Sequence, residues 1–305
     1  MREAKILLSA LSVYQRQMKN LTITVIIIIS SLMLSSCGRF GNKQNENSRE
    51  KRIVCVSKQL TEIIFALGAE KNLVGIDLSS TYPPETAKLP TVGYHRALGV
   101  EGIISLKPSA VYDNEGMGPE AVREQLKKVG IPVMEYSPTP DIESTVKLIK
   151  TLGKEFGVES RADSVCSKLE SDMQQVFAEQ KAYTTHPKVL LIHFGLAMNM
   201  YFVVGNKGNA NDMIQWAGGI NGADTSGFKM LSPEFIAKIQ PDVILATDFG
   251  FDRAGGIEGF KQLPGIALTP AAKNNKIFRV EEHDLIYFGP RTGENILKLG
   301  KLIRQ

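Results

Sequence analysis

The side chains best able to bind metal or move protons are the four histidines, His95, His186, His193 and His283. They are too scattered along the chain for the donor spacing of a zinc or manganese transport site. His193 ends the apolar run 189–192, so a strand there would place it at a strand end, where open α/β sheets hold ligands; a hydrogen-bonded structural histidine is the other reading. His186 precedes Pro187 and reads as exposed. His283 lies among Glu281, Glu282 and Asp284 and reads as a charged, solvated turn. His95 adjoins Tyr94, and neighbours in an extended loop face opposite ways. Tyr94 alone reads as a loop tyrosine with a buried ring and a wet hydroxyl. Arg291, after Gly289-Pro290 at a helix start, reads alone as a surface arginine. Past residue 37 the cysteines are Cys55, inside the apolar run 53–56, and Cys166, on a helical pattern. There is no Cys-x-x-Cys pair and no disulfide framework; an oxidising compartment permits a bridge between the two. No nucleophile elbow, phosphate loop or dinucleotide fingerprint is present, which argues against an enzyme.

The N-terminus says where these residues work. An apolar run from Ile23 ends in Leu34-Ser35-Ser36-Cys37. A charged start, a hydrophobic core of about 12 residues and small residues before a cysteine describe a secretory signal, since a membrane span needs roughly 20. The stretch resembles a bacterial lipoprotein signal, which makes Cys37 the lipidated first mature residue; a single membrane anchor with a fortuitous cysteine is the plainer alternative. Met18-Lys19-Asn20 would make a conventional start of its own. Residues 38–51 are polar and read as a flexible tether. The expected location is outside the cytoplasm, in the periplasm, lipid-anchored to a bacterial membrane.

The body is long enough for two lobes of about 90 to 120 residues. The whole chain is 43% hydrophobic and 22% charged, and its formal charge of +4 includes no dense Lys/Arg block, so nucleic acid is not an expected partner. From residue 52 to 140 short β-branched runs alternate with helical patterns: strands at 52–56, 73–76, 110–112 and 133–136, helices at 61–67, 100–106 and 119–129. That is the alternation of a parallel sheet. From 142 to 180 apolar residues recur at helical spacing, with a break near Gly157, so 141–185 reads as a helical connector. A second lobe, 186–305, starts at the strand 189–193.

The second lobe repeats the first. Glu-Gly-Ile-Ile-Ser-Leu-Lys-Pro at 101–108 precedes a strand, and Glu-Phe-Ile-Ala-Lys-Ile-Gln-Pro at 234–241 precedes another. A weaker match sets 61–68 beside 211–218. The fold expected is α/β: two similar α/β lobes joined by a long helical connector, with the ligand cleft between the lobes.

Two segments carry a resemblance. Leu89-Pro90-Thr91-Val92-Gly93-Tyr94-His95-Arg96 with 100–108, and Phe288-Gly289-Pro290-Arg291-Thr292, resemble the haem-binding substrate-binding proteins of bacterial haem-uptake ABC transporters; 263–271 is a similar match. The likeness covers nearly all of 52–305, and its general lobe motifs are shared with cobalamin and ferric-siderophore binders, which are the alternative reading. It implies haem as transported ligand, Tyr94 as axial iron ligand, Arg96 as a group that stabilises that phenolate or meets a propionate, Arg291 as a propionate contact, and a permease and ATPase complex as partner. Some members use a histidine from the second lobe as a further metal ligand or to hold a second haem, which implies His193 here, although the segment His193-Phe194-Gly195-Leu196-Ala197-Met198 departs from the family's glycine-rich pattern. Met198, Met200, Tyr201 and Phe202 would form a porphyrin wall or core. Docking on the permease would use Glu62 and, as its repeat counterpart, Asp212; each would otherwise favour a helix N-terminus.

Overall fold

The protein is described by a computed structural model over residues 51–195 and 198–305; the signal, Cys37 and the tether through Glu50 lie outside the described residues. The first lobe runs β1 (Ile53–Cys55), α1 (Lys58–Ala66), β2 (Leu73–Ile76), α2 (Val100–Ser105), β3 (Ala110–Asp113), α3 (Glu120–Lys128) and β4 (Val133–Glu135). Two helices follow, α4 (Ile142–Phe156) and α5 (Glu159–Gln180). The second lobe runs β5 (Lys188–Gly195), β6 (Met200–Val204), α6 (Asn209–Trp216), β7 (Ile220–Asn221), β8 (Phe228–Met230), α7 (Pro233–Ile239), β9 (Val243–Thr247), α8 (Asp248–Arg253), α9 (Gly256–Lys261), α10 (Pro270–Lys273), β10 (Ile277–Val280) and α11 (Thr292–Leu302).

The local chemistry explains the boundaries. Ser57 caps α1 by accepting from Leu60 N at 3.1 Å. Asp141 and Ser144 form a reciprocal capping box on α4, and Gly157, at φ 66°, separates α4 from α5. The 101–108 and 234–241 segments share a rarer device. Lys107 and Gln240 each precede a proline and hold φ of 49° and 46°, a left-handed turn that non-glycine residues seldom adopt. In both lobes it turns a helix directly into a strand.

The first sheet is fully parallel, in the order β2-β1-β3-β4. In the second, β7, β5, β9 and β10 pair in parallel in the same relative order. The second lobe then departs from the first. The far half of β5 pairs antiparallel with β6, Ile192 opposite Val203, and β6 with β8, Phe202 opposite Met230. His193 therefore lies within β5 rather than closing it.

Alternate strand residues serve different cores, as the two-residue repeat of a strand requires. Ile53, Cys55, Val189, Leu191, Val243 and Leu245 join one cluster that continues through α4, α5 and α11 from lobe to lobe. Val54 and Val111 face a cluster confined to the first lobe, and Leu190, Ile192 and Ile244 one confined to the second. Cys55 and Cys166 are free and buried; burial pushes the Cys55 thiol up to about 12. No helix among the described residues is long and apolar enough to cross a membrane.

Candidate functional site

A cleft of about 530 Å³ opens where the strands' carboxyl ends meet, lined from both lobes. Its first-lobe wall is polar. Lys58 follows β1, Ser79 lies past β2, Glu115 follows β3, and Tyr94, His95 and Arg96 come from the loop leading to α2. Its second-lobe wall is mostly apolar: Phe194, Met198, Phe202, Phe228 and Ile286, with His193 among them. Pairing opposite Phe202 puts His193 on the same sheet face as that ring, and Phe228 packs 5.6 Å from the imidazole, centroid to centroid.

Tyr94 is half-buried, its ring 4.5 Å from that of His95. His95 does not face away as an extended loop would have it: the chain turns there, and the side chain is 3% exposed in the same cleft. Its Nδ1 lies 3.5 Å from Asp77 Oδ2, its Nε2 3.8 Å from Glu115 Oε2, and Arg96 Nε donates to Nε2 at 3.2 Å. Burial opposes the charge on Asp77, but hydrogen bonds from His95, Ser79 and Ser80 outweigh it and hold the carboxyl below its ordinary range.

Across the cleft, His193 Nδ1 lies 3.3 Å from Glu282 Oε2, an ion-pair distance without hydrogen-bond alignment. Lys58 Nζ sits between the lobes, 3.2 Å from Glu115 Oε2 and 3.5 Å from Glu282 Oε1. Burial works against the Lys58 ammonium, yet the two carboxylates keep its affinity for the proton above that of a free lysine. Burial likewise works against Glu282, and the facing His193 and Lys58 hold its carboxyl down at about 2.

Several expected residues sit elsewhere. Arg291 lines a second cavity, of about 610 Å³, and not the cleft. Its Nε donates to Glu62 Oε1 at 2.9 Å, its Nη1 to Asp284 Oδ1 at 2.6 Å, and its guanidinium stacks 3.5 Å from the Tyr82 ring centroid. Those partners use up the fork that a propionate would need. Glu62 is correspondingly 3% exposed, with Tyr287 Oη donating to Oε2 at 2.6 Å, so it does not stand free at the surface. Asp212 is half-exposed in the first turn of α6, accepting from Asn211 Nδ2. His283 is buried rather than solvated: Thr81 N donates to its Nε2 at 3.1 Å and Tyr287 Oη lies 2.7 Å from Nδ1. His186 is exposed. Of the apolar quartet, Met198 and Phe202 reach the cleft, while Tyr201 packs against Phe194 and Phe260.

Sequence reading missed Lys58, Asp77 and Glu115 altogether and left Glu282 in a surface turn. Each stands one to three residues past the end of β1, β2, β3 or β10. Asking which charged residues follow the strands of a parallel sheet would have found all four.

A family model described as periplasmic binding protein matches residues 53–283. The chain belongs to that family. The structure of the periplasmic haem-binding protein RhuT from Roseiflexus sp. RS-1, in apo form, is similar at a TM-score of 0.77 and 35% identity, covering 83% of this chain and 98% of that one. The binding protein is also similar to YvrC of Bacillus subtilis (strain 168), named an uncharacterized ABC transporter substrate-binding lipoprotein, at 26% identity over 91% of this chain and 95% of the relative. A vitamin B12-binding protein of Vibrio parahaemolyticus is 24% identical over 85% of this chain and 92% of its own.

Proposed function

We propose that this periplasmic binding protein captures haem in the inter-lobe cleft and delivers it to an ABC transporter permease, working outside the cytoplasm from a lipid attached at Cys37. The observation that carries the reading is the pairing of unlike walls: Tyr94 and Arg96 on one side, His193 within a Phe/Met surface on the other. A planar porphyrin needs just this division, apolar contact for its faces and polar partners for its metal and propionates.

Ferric iron is a strong Lewis acid and favours the phenolate of a tyrosine that titrates near 10 in water; tyrosinate ligation of haem iron is established chemistry. Tyr94 supplies that donor. His193 has the Glu282 carboxylate 3.3 Å from Nδ1, and turning the ring into alignment with it would orient the imidazole and leave Nε2 for the metal. Arg96, partly exposed to the cleft, supplies a planar fork for a propionate. The likeness to RhuT, at 35% identity, favours haem over cobalamin or a ferric siderophore. For docking on the permease, Asp212 is open to a partner, whereas Glu62 would first have to leave Arg291.

Titrating the purified protein with haemin and with cobalamin tests the reading. Saturable binding of haemin, with a tyrosinate-to-iron charge-transfer band, is expected. Tight cobalamin binding with no haem-specific spectral change would contradict it.

A further inference from the structure

Lys58 was not expected to matter, and the fold gives it an unusual place. It opens α1 at the floor of the cleft and is 7% exposed. Its single ammonium bridges a carboxylate from each lobe, Glu115 and Glu282, and each of those faces a histidine of the cleft. A line of groups thus runs from His95, beside Tyr94, through Glu115, Lys58 and Glu282 to His193. Asp77 and Arg96 flank its first-lobe end, and His283 adjoins Glu282 in the chain.

The arithmetic of charge decides what Lys58 does. Glu115 and Glu282, both mostly shielded from water, share one cation, and without that tie their like charges repel and the carboxylates swing apart. That movement withdraws the group facing His193 Nδ1. Resting on the haem reading for its consequence but not for its geometry, we propose that Lys58 is the positioning residue of the cleft. It acts through its two carboxylates: it holds Glu282 facing His193 Nδ1 at 3.3 Å, while the same ammonium holds Glu115 beside His95. The two walls that meet on the ligand are thereby registered to one charge.

The test begins without haem. A side-chain ¹H–¹⁵N correlation spectrum of the histidine-labelled protein reads the partner of each ring nitrogen. Lys58→Met should shift the His193 nitrogens in the same direction as Glu282→Gln does and leave exposed His186 unmoved. Lys58→Arg, which keeps the cation, should return them toward the parent positions. If Lys58→Met does not fold, Lys58→Met/Glu115→Gln removes the surplus carboxylate with the ammonium and must give the same His193 shift. His193 resonances unchanged in whichever of these two variants folds would overturn the proposal. With haemin, Lys58→Met should bind about 10- to 100-fold more weakly, as loss of an outer-shell partner does, and keep the tyrosinate band; adding His193→Ala should then cost little more. Full additivity of the two losses would also overturn it. If the parent binds no haem, the haem reading fails while the resonance test still decides the role of Lys58.

Discussion

The two lobes begin from one plan and end with different surfaces. Both set four parallel strands in the same relative order, and both turn a helix into a strand through a left-handed residue before proline, Lys107 or Gln240. Only the second lobe lengthens its first strand and adds the antiparallel β6 and β8 to it. That addition supplies Phe202 and Phe228, and with them the apolar wall; the unadorned lobe meets the cleft with loops, and loops bring charge. The difference teaches that a duplicated frame gains a two-sided site by extending one copy.

The seam between the lobes should be separable from both walls. Arg291→Ala leaves Glu62 buried without its cation, and the expected cost is about 3 kcal/mol in chemical denaturation. Haem affinity and spectrum per folded molecule should stay as in the parent. A lost tyrosinate band in the folded variant would show that Arg291 serves the cleft after all.

The polar line across the cleft sharpens the comparison through pH. Glu282 titrates at about 2 in the folded chain against about 4.3 for a free glutamate. A depressed acid stabilises above its unfolded value and loses that contribution as pH falls through the folded one. Stability on the order of 3 kcal/mol should therefore disappear between about pH 4.5 and 2. Denaturation of parent and Glu282→Gln at pH 5, 4 and 3 isolates it, because other carboxylates titrate in both; a constant difference between the two proteins would contradict the assignment.

The apolar wall gives the smallest effect. Phe228 is 57% exposed, so Phe228→Ser should change folding stability by less than about 0.5 kcal/mol. Losing the ring's contact with a porphyrin, about 1.5 kcal/mol, should weaken haem binding about tenfold with the tyrosinate band intact. Unchanged affinity would mean that the ligand lies against the first lobe alone.

Much of this frame was legible in the residues. The Gly157 break, the proline-stopped helices and the β-branched runs encode local structure, so strands and helices fell near their expected places. The repeat at 101–108 and 234–241 encodes the common plan. Of the candidate cleft, the sequence singled out Tyr94 and His193, which line it from opposite lobes. Arg291 misled because a guanidinium after Gly-Pro looks the same in sequence whether it meets a propionate or Glu62, 229 residues away. The place of Lys58 past β1 was legible, but its pairing was not: its two partners come from opposite lobes, and no local spacing joins them.

The central claim is that the Tyr94 phenolate binds the iron. Tyr94→Phe keeps the ring against His95 and removes only the donor oxygen, so the denaturation midpoint should hardly move. The absorption spectrum of the haemin complex should lose its tyrosinate-to-iron band, leaving weaker binding of histidine type through His193. A Tyr94→Phe protein whose haem spectrum is indistinguishable from that of the parent would contradict the account.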